Sequence, residues 1–227
     1  SSYHMARALG VTQKTAWFMN HRIRLAMKTK SFNKPLSGEV EADETFVGGK
    51  DKFKHEDKRP HRGRGPIGKA AVMGLLQRHG EVRASVILNT RKRAVQDVVR
   101  AQVEPGSTVY TDALRSYTGL DAAFIHEVID HAEAYARGRV HTNGLENFWS
   151  LFKRGVYGIY HSVEPFHLDR YLDEFTQRFN TRGETDAERF TRTTSAVAGL
   201  PARALAECCS TGRAAAIGRG WSPRRWL

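Results

Sequence analysis

The sequence predicts a mixed α/β layer fold preceded by a small helical hairpin. Three observations carry that reading. Short strand-type apolar runs alternate with helix-period segments along the middle of the chain, as layered α/β folds require. The chain has 227 residues, 40% of them hydrophobic, which is enough to bury a real core and argues against wholesale disorder. Lys and Arg number 36 against 24 Asp and Glu, a net charge of +12 that favours a polyanionic partner. The longest apolar run, Ala70 to Leu76, is broken at Gly74 and falls far short of the roughly 20 residues of a bilayer span. No basic stretch with an apolar follow-on opens the chain, so secretion is not expected. The only cysteines, Cys208 and Cys209, are adjacent and form no CxxC pair, which suits a reducing, cytoplasmic compartment.

Taken in order, residues 2–28 read as two helices split by a Gly10-Val11 turn, with Thr12 capping the second. Helix, glycine turn and basic helix (Lys14, His21, Arg22, Arg24, Lys28) have the layout of a helix-turn-helix DNA reader, assigned to residues 1–30. A plain helical hairpin would look similar. Because the chain begins at Ser1 rather than Met, in the middle of what reads as a helix, further residues upstream are expected. "GEVEADETFVGG" then reads as a strand with Val40, Ala42 and Phe46 on one face and Glu41, Asp43 and Thr45 on the other. Residues 48–69 are Gly-rich and basic (Lys58, Arg59, Arg62, Arg64 and Lys69 among them) and nearly devoid of apolar side chains, so they read as a loop or mobile arm, either a solvated hairpin loop or a contact for phosphate.

"AAVMGLL" and "VRASVILN" form a hairpin about His79-Gly80. Ala94 to Val103 is helical, "STVYTD" is a strand ending on Asp112, and "AAFIHEVI" is a further strand. From Asn143 to Tyr157, Leu145, Phe148, Trp149, Phe152 and Val156 make one helical stripe. Pro165 to Asn180 is the last helix, burying Leu168, Leu172, Phe175 and Phe179. Its Arg170 and Glu174 read as a solvated ion pair, with Asp169 and Asp173 on the same exposed side. The core domain is placed at 37–182, with an extension at 183–199. Residues 200–227 are rich in Ala, Arg and Gly, lack periodicity, and read as a poorly packed tail, one hypothesis being translation out of frame.

Three acids stand out. Asp43 lies in the first strand, Asp112 at the end of a later one, and Glu146 in the first turn of the Trp149 helix. Carboxylates gathered about 4 Å apart repel by roughly 4 kcal/mol at an effective dielectric of 20, so such a cluster takes up protons or recruits cations. In a basic protein that pattern points to Mg²⁺-assisted phosphodiester chemistry. Each acid also has a plainer reading. Asp112 suits a helix cap, Asn143 and Glu146 have capping-box spacing, and Asp43 could be surface. Asn143, Glu146, Ser150, Lys153 and Tyr157 recur at three- and four-residue steps, so Glu146 and Lys153 share a side two turns apart.

"HTNGLENFWSLFKRGVYGIYH", with "EADETFVGGK", "VYTDALRSY" and "YLDEFTQRFN", resembles the bacterial insertion-sequence DDE transposases, specifically the ISXO-two-like transposase domain, over about residues 2–198. The resemblance implies a ribonuclease-H-like mixed sheet flanked by helices. It implies Asp43, Asp112 and Glu146 as ligands of two Mg²⁺ (or Mn²⁺) ions, with Lys153 as the accompanying basic residue and Asn143 as the weaker alternative for the third ligand. It further implies DNA as partner, both element ends and target, a homo-oligomer on that DNA, and Lys14, Arg22, Arg24, Lys58, Arg59, Arg62, Arg64, Lys69 and Arg154 as DNA contacts. The chain departs from the family in lacking the cysteines of an N-terminal zinc ribbon and in its tail. The rival readings are a DNA-binding relic without catalysis and a ribonuclease-H-like nuclease or resolvase, which would cleave without joining.

Overall fold

The computed structural model describes residues 1–28, 34–49, 68–129, 141–160 and 163–200. The basic segment 48–69, apart from its two ends, and the tail beyond Leu200 lie outside the described residues, and with them Lys58, Arg59, Arg62 and Arg64.

Five strands make one sheet: β1 (Glu39–Val47), β2 (Ala70–Gln77), β3 (Val82–Ile87), β4 (Thr108–Asp112) and β5 (Ile125–Ile129), in the order β3-β2-β1-β4-β5. β1, β2 and β3 run antiparallel as a meander, while β4 and β5 run parallel to β1. That order with those directions is the ribonuclease-H-like arrangement, with β1 at the centre.

The period of each segment decides which layer it joins. In α3 (Lys92–Gln102), Val95 and Val99 recur every four residues and are fully buried with Val40, Ala42, Val109 and Tyr117 on one face of the sheet. On the other face lie α4 (Asn143–Gly155) and α5 (Leu168–Asn180), where Leu145, Phe148, Trp149 and Phe152 pack with Val72, Val82, Leu168 and Leu172. The polar face predicted for β1 is therefore not surface: Glu41 and Thr45 are buried beneath this layer. The helix predicted at 165–180 begins with a 3₁₀ turn at Pro165–His167, and α4 continues into a π-turn at Val156–Tyr160.

α5 also shields the free edge of β3. Asp169 accepts the Val86 N–H at 3.0 Å, and Asn180 both accepts from the Val82 N–H (2.7 Å) and donates to its carbonyl (3.0 Å). Side chains thus satisfy the backbone groups that an edge strand would otherwise expose.

At the N-terminus, α1 (Ser2–Leu9) ends on Gly10 at φ 67°, a left-handed conformation that glycine adopts without strain, and Thr12 caps α2 (Gln13–Met27) by accepting the Thr15 N–H. α2 packs on α5 and on α6 (Asp186–Ala198), a helix that the sequence reading left as an extension. A Thr185–Glu188 capping box starts α6. Among the described residues, no helix is long and apolar enough to cross a membrane.

Candidate active site

Asp43 and Asp112 come together through strand register. β1 pairs with β4 from Glu39–Thr108 to Glu41–Tyr110, and the pairing stops there. Extended two residues further, the same register brings Asp43 level with Asp112, where the parallel strands part. Carboxyl ends of parallel strands at such a divergence are where open α/β sheets hold ligands. Side chains alternate, so Glu39, Glu41 and Asp43 share the face covered by α4, and Tyr110 and Asp112 share it too.

α4 supplies the third acid. Trp149 reaches across the sheet and donates its indole N–H to Asp43 Oδ2 at 3.0 Å. This is possible because Asp43 pairs in register with Gly74, where a Cβ would stand 2.5 Å from the Trp149 ring. The glycine that interrupts the apolar run of β2 is therefore the space the indole occupies. Glu146 is exposed in the first turn of the helix, with Asn143 exposed a turn earlier. The Asn143–Glu146 capping box does not form: Thr142 is the N-cap and its side chain makes no capping bond to the helix, while Glu41 Oε2 accepts the Leu145 N–H at 3.1 Å.

Burial pushes the Asp43 carboxyl up to about 6, and the negative charges of Asp112 and Glu146 add to that shift. Glu44, on the opposite face of β1, is pushed up to about 7 by burial, with Asp112 and Asp43 adding to it and a hydrogen bond from Tyr117 opposing. Asp112 accepts the Leu114 N–H at 3.0 Å, a local turn that orients its side chain. The structure thus brings Asp112 and Glu146 each within electrostatic reach of Asp43. As the side chains lie, no three His, Cys, Asp or Glu among the described residues form a group able to hold a metal ion. Lys153, half-buried in the last turn of α4, lies two helical turns (about 10 Å) beyond Glu146.

Among the candidate DNA contacts, Lys14, Arg22, Lys69 and Arg154 are exposed. Arg24 is not. It is 5% exposed, its Nε donates to Glu174 Oε2 at 2.8 Å, and its guanidinium lies over the Tyr171 ring at 4.1 Å. That burial removes Arg24 from the DNA-facing set. It also corrects the solvated Arg170–Glu174 pair: Glu174 is buried beneath α2, and Arg170 pairs with Asp173 at 3.9 Å. Burial likewise pushes Asp173 up to about 6.

The sequence reading missed Glu41, Glu44, the Trp149 indole donor and Gly74. An acidic residue two positions before Asp43 and a glycine inside a strand-type run were the available signals.

The chain matches the ISXO2-like transposase domain over residues 35–180. It is 35% identical over 101 residues, 44% of this chain and 81% of the relative, to an uncharacterized transposase-like protein of Haemophilus influenzae. Among solved structures, the Mos1 strand transfer complex aligns with a TM-score of 0.32 at 14% identity, covering 92% of this chain and 73% of that one. A pre-cleavage Mos1 transpososome gives 0.25 at 11%, covering 87% and 73%. The matched segment contains every strand of the sheet together with Asp43, Asp112, Glu146 and Lys153, and spans more than half of the sequence. The chain belongs to the ISXO2-like family of insertion-sequence transposase domains.

Proposed function

We propose that this chain cuts DNA at the ends of an insertion sequence and joins those ends to target DNA, using divalent cations held by Asp43, Asp112 and Glu146. The observation that carries this reading is the meeting of Asp43 with Asp112 and Glu146 at the mouth of the β1–β4 divergence, where burial, with those two charges adding to it, lifts Asp43 to about 6. Three carboxylates supply the oxygen donors that a hard cation such as Mg²⁺ or Mn²⁺ takes. When bound, two such ions stabilise the charge on the attacking and leaving oxygens of an in-line phosphoryl transfer. Trp149 fixes one oxygen of Asp43, so that carboxylate enters the reaction already oriented. Lys153 binds the phosphate of the scissile strand from the same side of α4. In the first step the oxygen of water bonds to phosphorus as the bond to the 3′ oxygen breaks. In the second, the freed 3′-OH displaces a 3′ oxygen in target DNA.

Lys14, Arg22, Lys69 and Arg154, with Lys58, Arg59, Arg62 and Arg64 of the basic segment, track the phosphate backbone, and pairing of two DNA ends calls for a homo-oligomer. α1 and α2 serve as the helix-turn-helix. One observation favours a second reading, a DNA-binding relic: the described carboxylates do not form a metal-holding group as they lie.

The test is strand cleavage and joining on labelled DNA bearing the element's own ends with Mg²⁺, comparing the wild-type chain with Glu146→Gln. Nicked and joined products in the wild type, both lost in the variant, are expected. Binding without cleavage in either protein establishes the relic, and cleavage without joining a nuclease.

A further inference from the structure

We propose that Glu41 and Arg78 form a brace that ties together the three elements carrying the candidate metal ligands, making both of them positioning residues. This deepens the reading above and rests on it.

The brace touches all three elements that carry the acids, each time within two residues of the acid. On β1, Glu41 lies two residues before Asp43 on the same face. On α4, its Oε2 accepts the N–H of Leu145, the residue before Glu146, at 3.1 Å. On β4, the Arg78 guanidinium stacks 4.1 Å over Tyr110, two residues before Asp112. Arg78 Nε donates to Glu41 Oε1 at 3.2 Å, closing the triangle. Arg78 Nη2 also donates to the carbonyl of His141 at 3.0 Å, tying down the chain as it enters α4.

Two features argue that this is a site adapted to the purpose. A helix N-terminus is ordinarily capped by a side chain three residues upstream, yet Thr142 gives no such bond. The orphan N–H goes instead to a buried carboxylate from a distant strand, with the helix dipole favouring the charge. Gly144 makes the approach possible, because a Cβ there would stand 2.8 Å from Glu41 Oε2. Moreover, a buried ion pair adds little stability over apolar residues of the same volume. What this pair contributes is a fixed distance between strand and helix. Arg78 also reaches Glu39, at 3.6 Å, so the first two of three successive acids on this face of β1 are compensated, and Asp43 is left to Asp112 and Glu146.

The experiment titrates the full chain with terbium(III), an oxygen-seeking cation. Binding is read from luminescence sensitised by the Trp149 indole, alongside DNA affinity in EDTA and thermal unfolding. Arg78→Met is the deciding variant. Removing a positive charge near the acids strengthens cation binding if charge alone matters, whereas loss of the brace weakens it. We expect at least a tenfold weakening in Arg78→Met and in Glu41→Gln, partial recovery in Arg78→Lys, and unchanged metal-free DNA affinity. Terbium affinity within twofold of wild type, or tighter, in folded Arg78→Met overturns the brace. Failure of both Arg78→Met and Glu41→Gln to fold also overturns it, by showing a structural tie only. Asp43→Asn separates the two readings. If it leaves terbium binding intact, the metal site and the brace fall together. If it abolishes binding while the brace variants bind normally, only the brace falls.

Discussion

Arg24–Glu174 is a buried arginine–carboxylate pair and Arg78–Glu41 a part-buried one, each with a tyrosine ring against the guanidinium, and they hold together different parts of the molecule. Arg24 belongs to α2 and docks the N-terminal hairpin on α5. Tyr171 and Tyr160 flank its guanidinium at 4.1 and 5.1 Å, and Glu174 also accepts from Tyr160 and Arg178. Glu41 in β1 and Arg78 just after β2 lie under the start of α4, and their contacts with Leu145 and Tyr110 fall within two residues of Glu146 and Asp112. The same chemistry therefore serves attachment in one place and internal spacing in the other. Sequence alone does not separate the two, because an arginine in a basic helix and one at a strand end both look like surface cations.

The sharpest way to break the comparison is at the docking pair. Arg24→Met leaves Glu174 buried with fewer partners and should cost about 3–5 kcal/mol in denaturant unfolding. The double variant with Glu174→Leu should recover most of that loss. If Arg24→Met instead flattens the salt dependence of DNA binding with no loss of stability, Arg24 is a DNA contact after all.

Within the sheet, Gly74→Ala drives a methyl group into Trp149 and should destabilise by roughly 1–3 kcal/mol. It should also weaken metal-dependent cleavage, since the indole can no longer stay on Asp43; full activity in this variant would show that the Trp149 bond is dispensable.

Asp43→Asn should move stability in the opposite direction. Because burial and like charges raise the folded Asp43 carboxyl from 3.8 to about 6, its stabilising contribution is complete below about pH 4 and is lost as pH rises through 6. In metal-free buffer at pH 8 the asparagine variant should therefore be more stable, by on the order of 1–3 kcal/mol. The gain should vanish at pH 4. A variant less stable than wild type at pH 8 would mean that the ionised carboxylate is satisfied without a cation.

The smallest effect contrasts Arg24 with its exposed neighbour Arg22. Arg22→Ala should reduce the slope of log affinity against log salt by about 1, as expected for one lost phosphate contact. Lys14→Ala should do the same.

Much of the architecture was legible in the sequence. Alternation marks β1 and short apolar runs mark β2 to β4, and the valine spacing of α3 and the aromatic stripe of α4 mark their buried faces. α6 was missed because its polar composition, DAERFTRTTSAVA, carries no apolar stripe, and no residue in it is buried. Arg24 and Glu174 were misjudged for a related reason: each sits on a helix face that looks solvated until another helix covers it. The acids at 43, 112 and 146 could be picked out by type and position, but nothing local said that Trp149 donates to one of them or that Glu41 caps the helix of another.

By itself, then, the sequence determined what local chemistry can determine. Side-chain period set the elements, charge balance pointed to a polyanion, and the motifs around Asp43, Asp112 and Glu146 marked the family. Only the tertiary structure decided which polar groups are buried and against what. Burial and register are long-range properties: Glu41 meets Leu145 across 104 positions, and Arg24 meets Glu174 across 150. Whether a charge is a solvated ornament or an internal strut depends on which element comes to lie over it, and that is settled by packing rather than by its neighbours in the chain.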